Sequence, residues 1–399
     1  MKKAVARQSE RKGPLSPLTA ETKRQKTGLL NKQKSKNLTD KTMKNLFRLA
    51  IVAAGALLMV GCNFGGGDDP EDVTLATDAV YITNEGNWGS ANASLSVYNP
   101  ETKEIENGIF RRVNAVPLGD VAQSAAVYGD DLYVVVNNSG VVFRVDRATM
   151  TVQDKIEGLT SPRFIALASD TKGYISDMYT NKITIFNPQT CEVTGDVTLP
   201  DDASSEQMVV LGDKLYVAWW SYGNTIFVID TKTDKVVDSI EVGLQPCSLV
   251  ADGAGKLWAL SDGGGYPQNP AGYEAPRLMR INPATGSVER TFTFTEGDYF
   301  SSRLALNGAA DTLYYTVGGE VWRMATADSQ LPAEPFISEG VYYYSMAVDP
   351  VSSELYLGDA GDYVNPGRVM RYATNGTKVD EFNVGISPGY IVFGTSERE

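Results

Sequence analysis

Aromatic, amide and guanidinium side chains recur at matched places along this sequence. Gln123, Arg163, Gln207, Arg303, Tyr344 and Tyr390 each stand just before or at the start of a short apolar segment. Trp88, Tyr179, Trp219, Trp220, Tyr222, Tyr266 and Tyr363 fall in polar stretches rich in glycine and asparagine. This is binding chemistry: ring faces stack on flat or apolar surfaces, while amides and guanidiniums engage carbonyls and hydroxyls. A large, flat, amide-bearing molecule, an oligosaccharide and a loop of another protein all suit such a set. Neutral-pH catalysis is poorly served. The chain has no histidine, so Ser-His-Asp and Cys-His sites cannot be built and transition metals lose their commonest ligand. Carboxylate, lysine or tyrosine chemistry stays open. Asp359 and Asp362 share a glycine-rich loop but lack the dense alternating ligands of a calcium loop. No metal and no cofactor is expected.

A tandem repeat must position these residues. Tyr133, Tyr174, Tyr216, Trp258, Tyr314 and Tyr356 each open a short alternating strand, at spacings of 41, 42, 42, 56 and 42 residues, and Tyr81 lies 52 residues earlier. A second strand follows each and ends in an Asx-Pro or Asp-x-x-Thr turn, as in Phe186-Asn187-Pro188-Gln189-Thr190 and Ile229-Asp230-Thr231-Lys232-Thr233. The unit is a four-stranded antiparallel sheet, and its length is that of a propeller blade. The predicted fold is all-β, a seven-bladed β-propeller over residues 79–394. The tail reveals how it closes. Ser387-Pro388-Gly389-Tyr390-Ile391-Val392-Phe393 matches Ser161-Pro162-Arg163-Phe164-Ile165-Ala166-Leu167, the innermost strand of an internal repeat. Blade 1 lacks such a strand ahead of Tyr81, so the C-terminal strand is expected to supply it and leave no open edge.

Chain direction then sorts the loops. The first and third strands of a blade run one way and the second and fourth run back. Loops before the first strand and between the second and third therefore share one mouth of the channel. The recurrent residues above all fall at that mouth, with Cys247, Asn137, Asn138 and Tyr273. Taken singly, each aromatic is well explained by blade packing, and Arg163 and Arg303 are equally well explained by ion pairs between blades. Converging on one face, the set is better explained by a ligand site. Cys191 and Cys247 fall at an outer turn and an inner strand of different blades, too far apart for a disulfide.

The N-terminal region is different in kind. Residues 1–42 are basic and without apolar periodicity, and read as a disordered extension whose true start is Met43. Residues 43–61 combine a short basic segment with the apolar run Leu49 to Val60, too short to span a bilayer but suited to a signal peptide. Leu58-Met59-Val60-Gly61-Cys62 resembles the lipobox of bacterial lipoproteins, which implies lipid attachment at Cys62. Residues 62–78 read as an acidic, glycine-rich tether and 395–399 as a tail. The first 61 residues hold 14 of the 36 basic and 3 of the 49 acidic residues. From Cys62 onward 22 face 46, a net charge of −24, which repels phosphate backbones and argues against a nucleic-acid partner.

The Leu-Tyr-Val and Val-Asp-x-x-Thr pattern resembles the YVTN-type propellers over nearly all of residues 79–393. Asn84-Glu85-Gly86-Asn87-Trp88-Gly89-Ser90, with Leu118-Gly119-Asp120-Val121-Ala122-Gln123-Ser124, is similar to a family of surface lipoprotein propellers of Gram-negative gut bacteria. Some of those capture cobalamin and pass it to a TonB-dependent outer-membrane receptor. The resemblance implies an outer-membrane, surface-exposed lipoprotein that binds a corrinoid and is no enzyme. A surface adhesin or scaffold binding glycan or protein is the alternative. A propeller hydrolase or lactonase is disfavoured by the missing histidine and nucleophile motif.

Overall fold

A computed structural model describes residues 70–200, 203–300 and 302–394. The extension, the signal peptide, Cys62 and the tail 395–399 lie outside the described residues. Seven antiparallel sheets follow one another, neighbouring blades packing through their inner strands around most of the ring. Blade 1 runs Pro388–Phe393, Val80–Asn84, Ser94–Tyr98 and Ile105–Asn107 from the centre outward. The inner strands of blades 2, 3, 4 and 5 are Ala122–Tyr128, Pro162–Ser169, Met208–Leu211 and Pro246–Ala251. Ala305–Leu306 and Tyr343–Val348 begin blades 6 and 7. The closure is as the repeats predict: Val80 pairs with Phe393, Tyr81 with Val392 and Ile82 with Ile391.

Alternation explains the strands. In Asp131–Val136 and its equivalents both faces are buried, because each blade is sandwiched between two others. The repeated aromatic does more than fill space. Tyr81 Oη donates to Arg147 O (3.2 Å), Tyr133 Oη to Pro188 O (2.6 Å), Tyr174 Oη to Asp234 Oδ1 (2.6 Å) and Tyr216 Oη to Pro283 O (3.2 Å). In every case the acceptor sits in the outer turn of the following blade. The Asx-Pro and Asp-x-x-Thr turns are thus docking points as well as chain reversals, and these four phenols keep their polar tips satisfied while their rings are buried. Serines stitch the inner strands similarly: Ser124 Oγ donates to Arg163 O and Ser345 Oγ to Pro388 O, each at 2.6 Å.

Three departures from the regular repeat have physical causes. The 52-residue spacing after Tyr81 accommodates a short helix, α1 (Ile109–Asn114), whose Ile109, Phe110 and Val113 fill the wedge between blades 1 and 2. Blade 6 has three strands rather than the expected four. Its outer segment carries Pro332 and Pro335, which cannot donate to a ladder, and its fourth strand is reduced to the single bridge Val321↔Ile337. Finally, residues 70–78 of the expected tether run along the propeller. Leu75 N–H donates to Ala148 O (2.8 Å), and Glu71 pairs with Arg112 at 2.7 Å.

Candidate functional site

Six of the seven inner strands open with an irregularity that turns one residue towards the channel. In blades 1, 2, 3, 5 and 7 the pairing skips a residue between the inner and second strands, and Gly389, Gln123, Arg163, Cys247 and Tyr344 occupy the bulge. In blade 4, Glu206 and Gln207 together face Ala218. Gly389, Gln123, Arg163, Glu206, Cys247, Arg303 and Tyr344, one residue from each blade, line a cavity of about 530 Å³ at the predicted mouth. Trp88, Tyr179 and Trp220 from the second-to-third-strand loops complete its wall, with Glu85, Asp262, Asp298, Tyr299 and Phe300.

The expected residues divide cleanly. Trp88, Gln123, Asn137, Arg163, Tyr179, Trp220, Cys247, Arg303 and Tyr344 line the cavity. Gln207 does not: its Oε1 accepts from Ser248 Oγ (2.8 Å) and Leu249 N (3.0 Å), joining blade 4 to blade 5. The bulge gives the inward position to Glu206 instead. Tyr390 is displaced in the same way, with Gly389 facing inward and the Tyr390 ring packed on Phe164 at 5.9 Å. Trp219 stacks on Phe227 (5.9 Å) and donates to Ser221 O, as a packing residue would. Tyr222 and Tyr266 are exposed on loops outside the cavity wall. Tyr363 stands on the rim, edge-on to Tyr344 at 5.4 Å. Asn137 ties blade 2 to Pro162 O of blade 3 (2.9 Å), and Asn138 donates to Asp120.

Sequence reasoning missed the acids. Glu206 is 4% exposed and accepts from Arg163 Nε and Nη2, both at 2.7 Å, and from Arg303 Nη2 at 3.1 Å. Burial pushes its carboxyl up, but the two guanidiniums outweigh burial and hold it below the usual carboxylate range. Arg163 also donates to Gln123 Oε1, so all three of its nitrogens are engaged. The network ties blades 2, 3, 4 and 6 across the channel, which makes Arg163 an inter-blade clamp first. Arg303 is different. Its guanidinium lies over the Phe164 ring at 4.5 Å, and its buried Nε has no partner in the protein.

Glu85 has the opposite balance. Burial raises its pKa, and the 2.7 Å hydrogen bond from Tyr344 Oη and the nearby arginines only partly compensate. The absent side chain of Gly389 leaves its room, since a Cβ there would lie 2.4 Å from Glu85 Oε1. Asp262 is likewise raised by burial, while accepting from Trp220 Nε1 at 2.9 Å. Burial pushes the Cys247 thiol well up, away from thiolate chemistry. Cys191 and Cys247 are both free. Among the described residues no cluster of three acid or thiol ligands forms. The Asp359 carboxylate accepts from Arg368 and Gly361, and Asp362 from Val364 and Asn365.

Around this polar floor the rim is aromatic. Trp88 and Tyr179 are 65% and 66% exposed, and Tyr299 stacks on Tyr342 at 5.5 Å with about half of each ring in solvent. Exposed rings held by rigid blades can bind a flat ligand without a large ordering cost.

Comparison with solved structures places the fold among propellers. A quinonprotein alcohol dehydrogenase-like protein from Bacteroides thetaiotaomicron is similar with a TM-score of 0.63 and 15% identity, over 82% of this chain and 79% of that one. A protein from Lactobacillus plantarum gives 0.58 at 14% identity, covering 79% and 99%. Hydrazine synthase of Kuenenia stuttgartiensis gives 0.55 at 16% identity, covering 67% and 88%. At such identities the likeness is one of fold alone. No curated protein matches the sequence. One family model does match, over residues 78–393, and the chain therefore belongs to the family described as "Domain of unknown function (DUF5074)".

Proposed function

We propose that this propeller is a binding protein, not an enzyme, and that its aromatic-rimmed mouth captures a flat, amide-bearing small molecule, best a corrinoid such as cobalamin. The observation that carries the reading is the convergence of one residue per blade on a single cavity ringed by exposed Trp88, Tyr179 and Tyr299, with Tyr342 stacked on Tyr299. Two arginines face four carboxylates in its lining, which disfavours an anionic ligand and suits a neutral one rich in acceptors and donors. Arg303 Nε is a spare donor for a carboxamide oxygen. A corrinoid is larger than the cavity and would rest its apolar edges on the rim with amide arms reaching down. On this reading the protein is a surface-exposed outer-membrane lipoprotein, anchored through Cys62, that hands its ligand to a TonB-dependent transporter. The stacked Tyr299–Tyr342 pair also suits a sugar face, so a glycan is the second reading.

Calorimetry of the chain from Asp68 onward with cyanocobalamin tests this, with the isolated protein inspected for red corrinoid absorbance. Saturable binding that Trp88→Ala or Tyr179→Ala weakens is expected. No heat at micromolar concentrations removes the corrinoid reading.

A further inference from the structure

We propose that the wedge between blades 5 and 6 is a second ligand site, for a neutral or cationic aromatic group bearing one hydrogen-bond acceptor. The reduced fourth strand of blade 6 creates it. Leu331 and Pro332, ahead of the Val321↔Ile337 bridge, wall off a cavity of about 410 Å³ against Phe294, Tyr315 and Trp322. That volume lies in the range of small-ligand pockets, and its ring-rich lining suits an aromatic group.

Two observations define the chemistry. Trp322 Nε1 is buried with no acceptor in the protein. The indoles of Trp219, Trp220 and Trp258 all donate, at 3.0, 2.9 and 2.8 Å. A buried donor without a partner is costly, and a ligand carbonyl or hydroxyl would satisfy it. The charged residues in the wall are Asp298 and Glu320, with no basic residue among its lining, so an anion is disfavoured. The site also adjoins the channel mouth. Asp298 lines both cavities, and Tyr299 O accepts from Gly318 N (3.1 Å). An occupant would therefore press on the segment that carries Tyr299 and Phe300. The site itself does not depend on what the central cavity binds.

The test uses N-acetylphenylalaninamide, with the anionic N-acetylphenylalanine as its comparison, titrated into the ¹⁵N-labelled full chain. The expected result is a saturable shift of the Trp322 indole signal, assigned through Trp322→Phe, with the Trp88 and Trp220 indoles of the central cavity unmoved. The anion should bind at least several-fold more weakly. In Trp322→Phe, followed at the Val317 and Gly318 amides, affinity should fall roughly three- to tenfold, as for one lost hydrogen bond. Glu320→Lys should reverse the preference towards the anion. The proposal is overturned by no saturable shift at the solubility limit, by shifts confined to Trp88 and Trp220, or by unchanged affinity in Trp322→Phe. A charge preference unmoved by Glu320→Lys also overturns it.

Discussion

Replacing Glu206 by glutamine should loosen the whole ring. Its carboxylate takes two 2.7 Å bonds from Arg163 and a 3.1 Å bond from Arg303, with the Glu206 side chain 4% and Arg163 13% exposed. The substitution keeps the shape but takes from two guanidiniums the carboxylate they bond, leaving only the more distant Glu85 as counter-charge. Breaking one side of a buried ion pair costs about 3–5 kcal/mol. In a domain of this size each kcal/mol moves Tm by roughly 2 °C, so a fall of about 6–10 °C is expected by calorimetry at pH 7. The pH dependence carries a sign. Since the folded pKa lies below the unfolded one, the contribution is complete above the ordinary glutamate value near ~4.3 and lost as pH falls through the folded pKa. The gap between wild type and Glu206→Gln should thus stay constant from neutral pH down to the ordinary glutamate value and narrow only below it. A change under about 2 °C, or a gap that widens on acidification, would refute the clamp.

Glu85→Gln should act in the opposite sense. Its folded pKa is raised, so the wild type loses stability as pH rises from the unfolded to the folded value, and the variant should erase that loss in pH-dependent melting. Tyr133→Phe removes the bond to Pro188 O and should cost about 1–2 kcal/mol, or roughly 2–4 °C, with ligand affinity unchanged. Deleting residues 386–399 removes the inner strand of blade 1, exposing the edge of Val80–Asn84, and should abolish cooperative unfolding; a truncated chain with the wild-type Tm would contradict closure. Trp88→Ala and Tyr179→Ala, at rings two-thirds exposed, should leave Tm within about 1 °C while weakening whatever the mouth binds.

Much of the fold was legible because a propeller repeats its instructions. Seven aromatics at matched spacing revealed the blades, and the match of 387–393 to 161–167 revealed the closure. The sequence did not disclose that Tyr81, Tyr133, Tyr174 and Tyr216 are bolts into the next blade, since three of the four acceptors are backbone carbonyls with no side-chain signature. The mouth was also found, but individual positions slipped by one. Gln207 and Tyr390 were favoured where Glu206 and Gly389 face inward, because a bulge shifts the two-residue alternation that strand reading assumes. The alignment of Ser161-Pro162-Arg163 with Ser387-Pro388-Gly389 already held the correction for blade 1. Glu85 and Asp262 carried no comparable mark. A carboxylate beside a turn reads as solvated until the ring closes over it.

Hydrogen exchange with and without cyanocobalamin tests the central claim most directly. A ligand held at the mouth should protect residues 85–90, 178–181, 219–223 and 299–304 and leave the outer turns at 146–150, 187–191 and 230–234 unchanged. Protection of the outer turns alone, or none anywhere, would contradict the account.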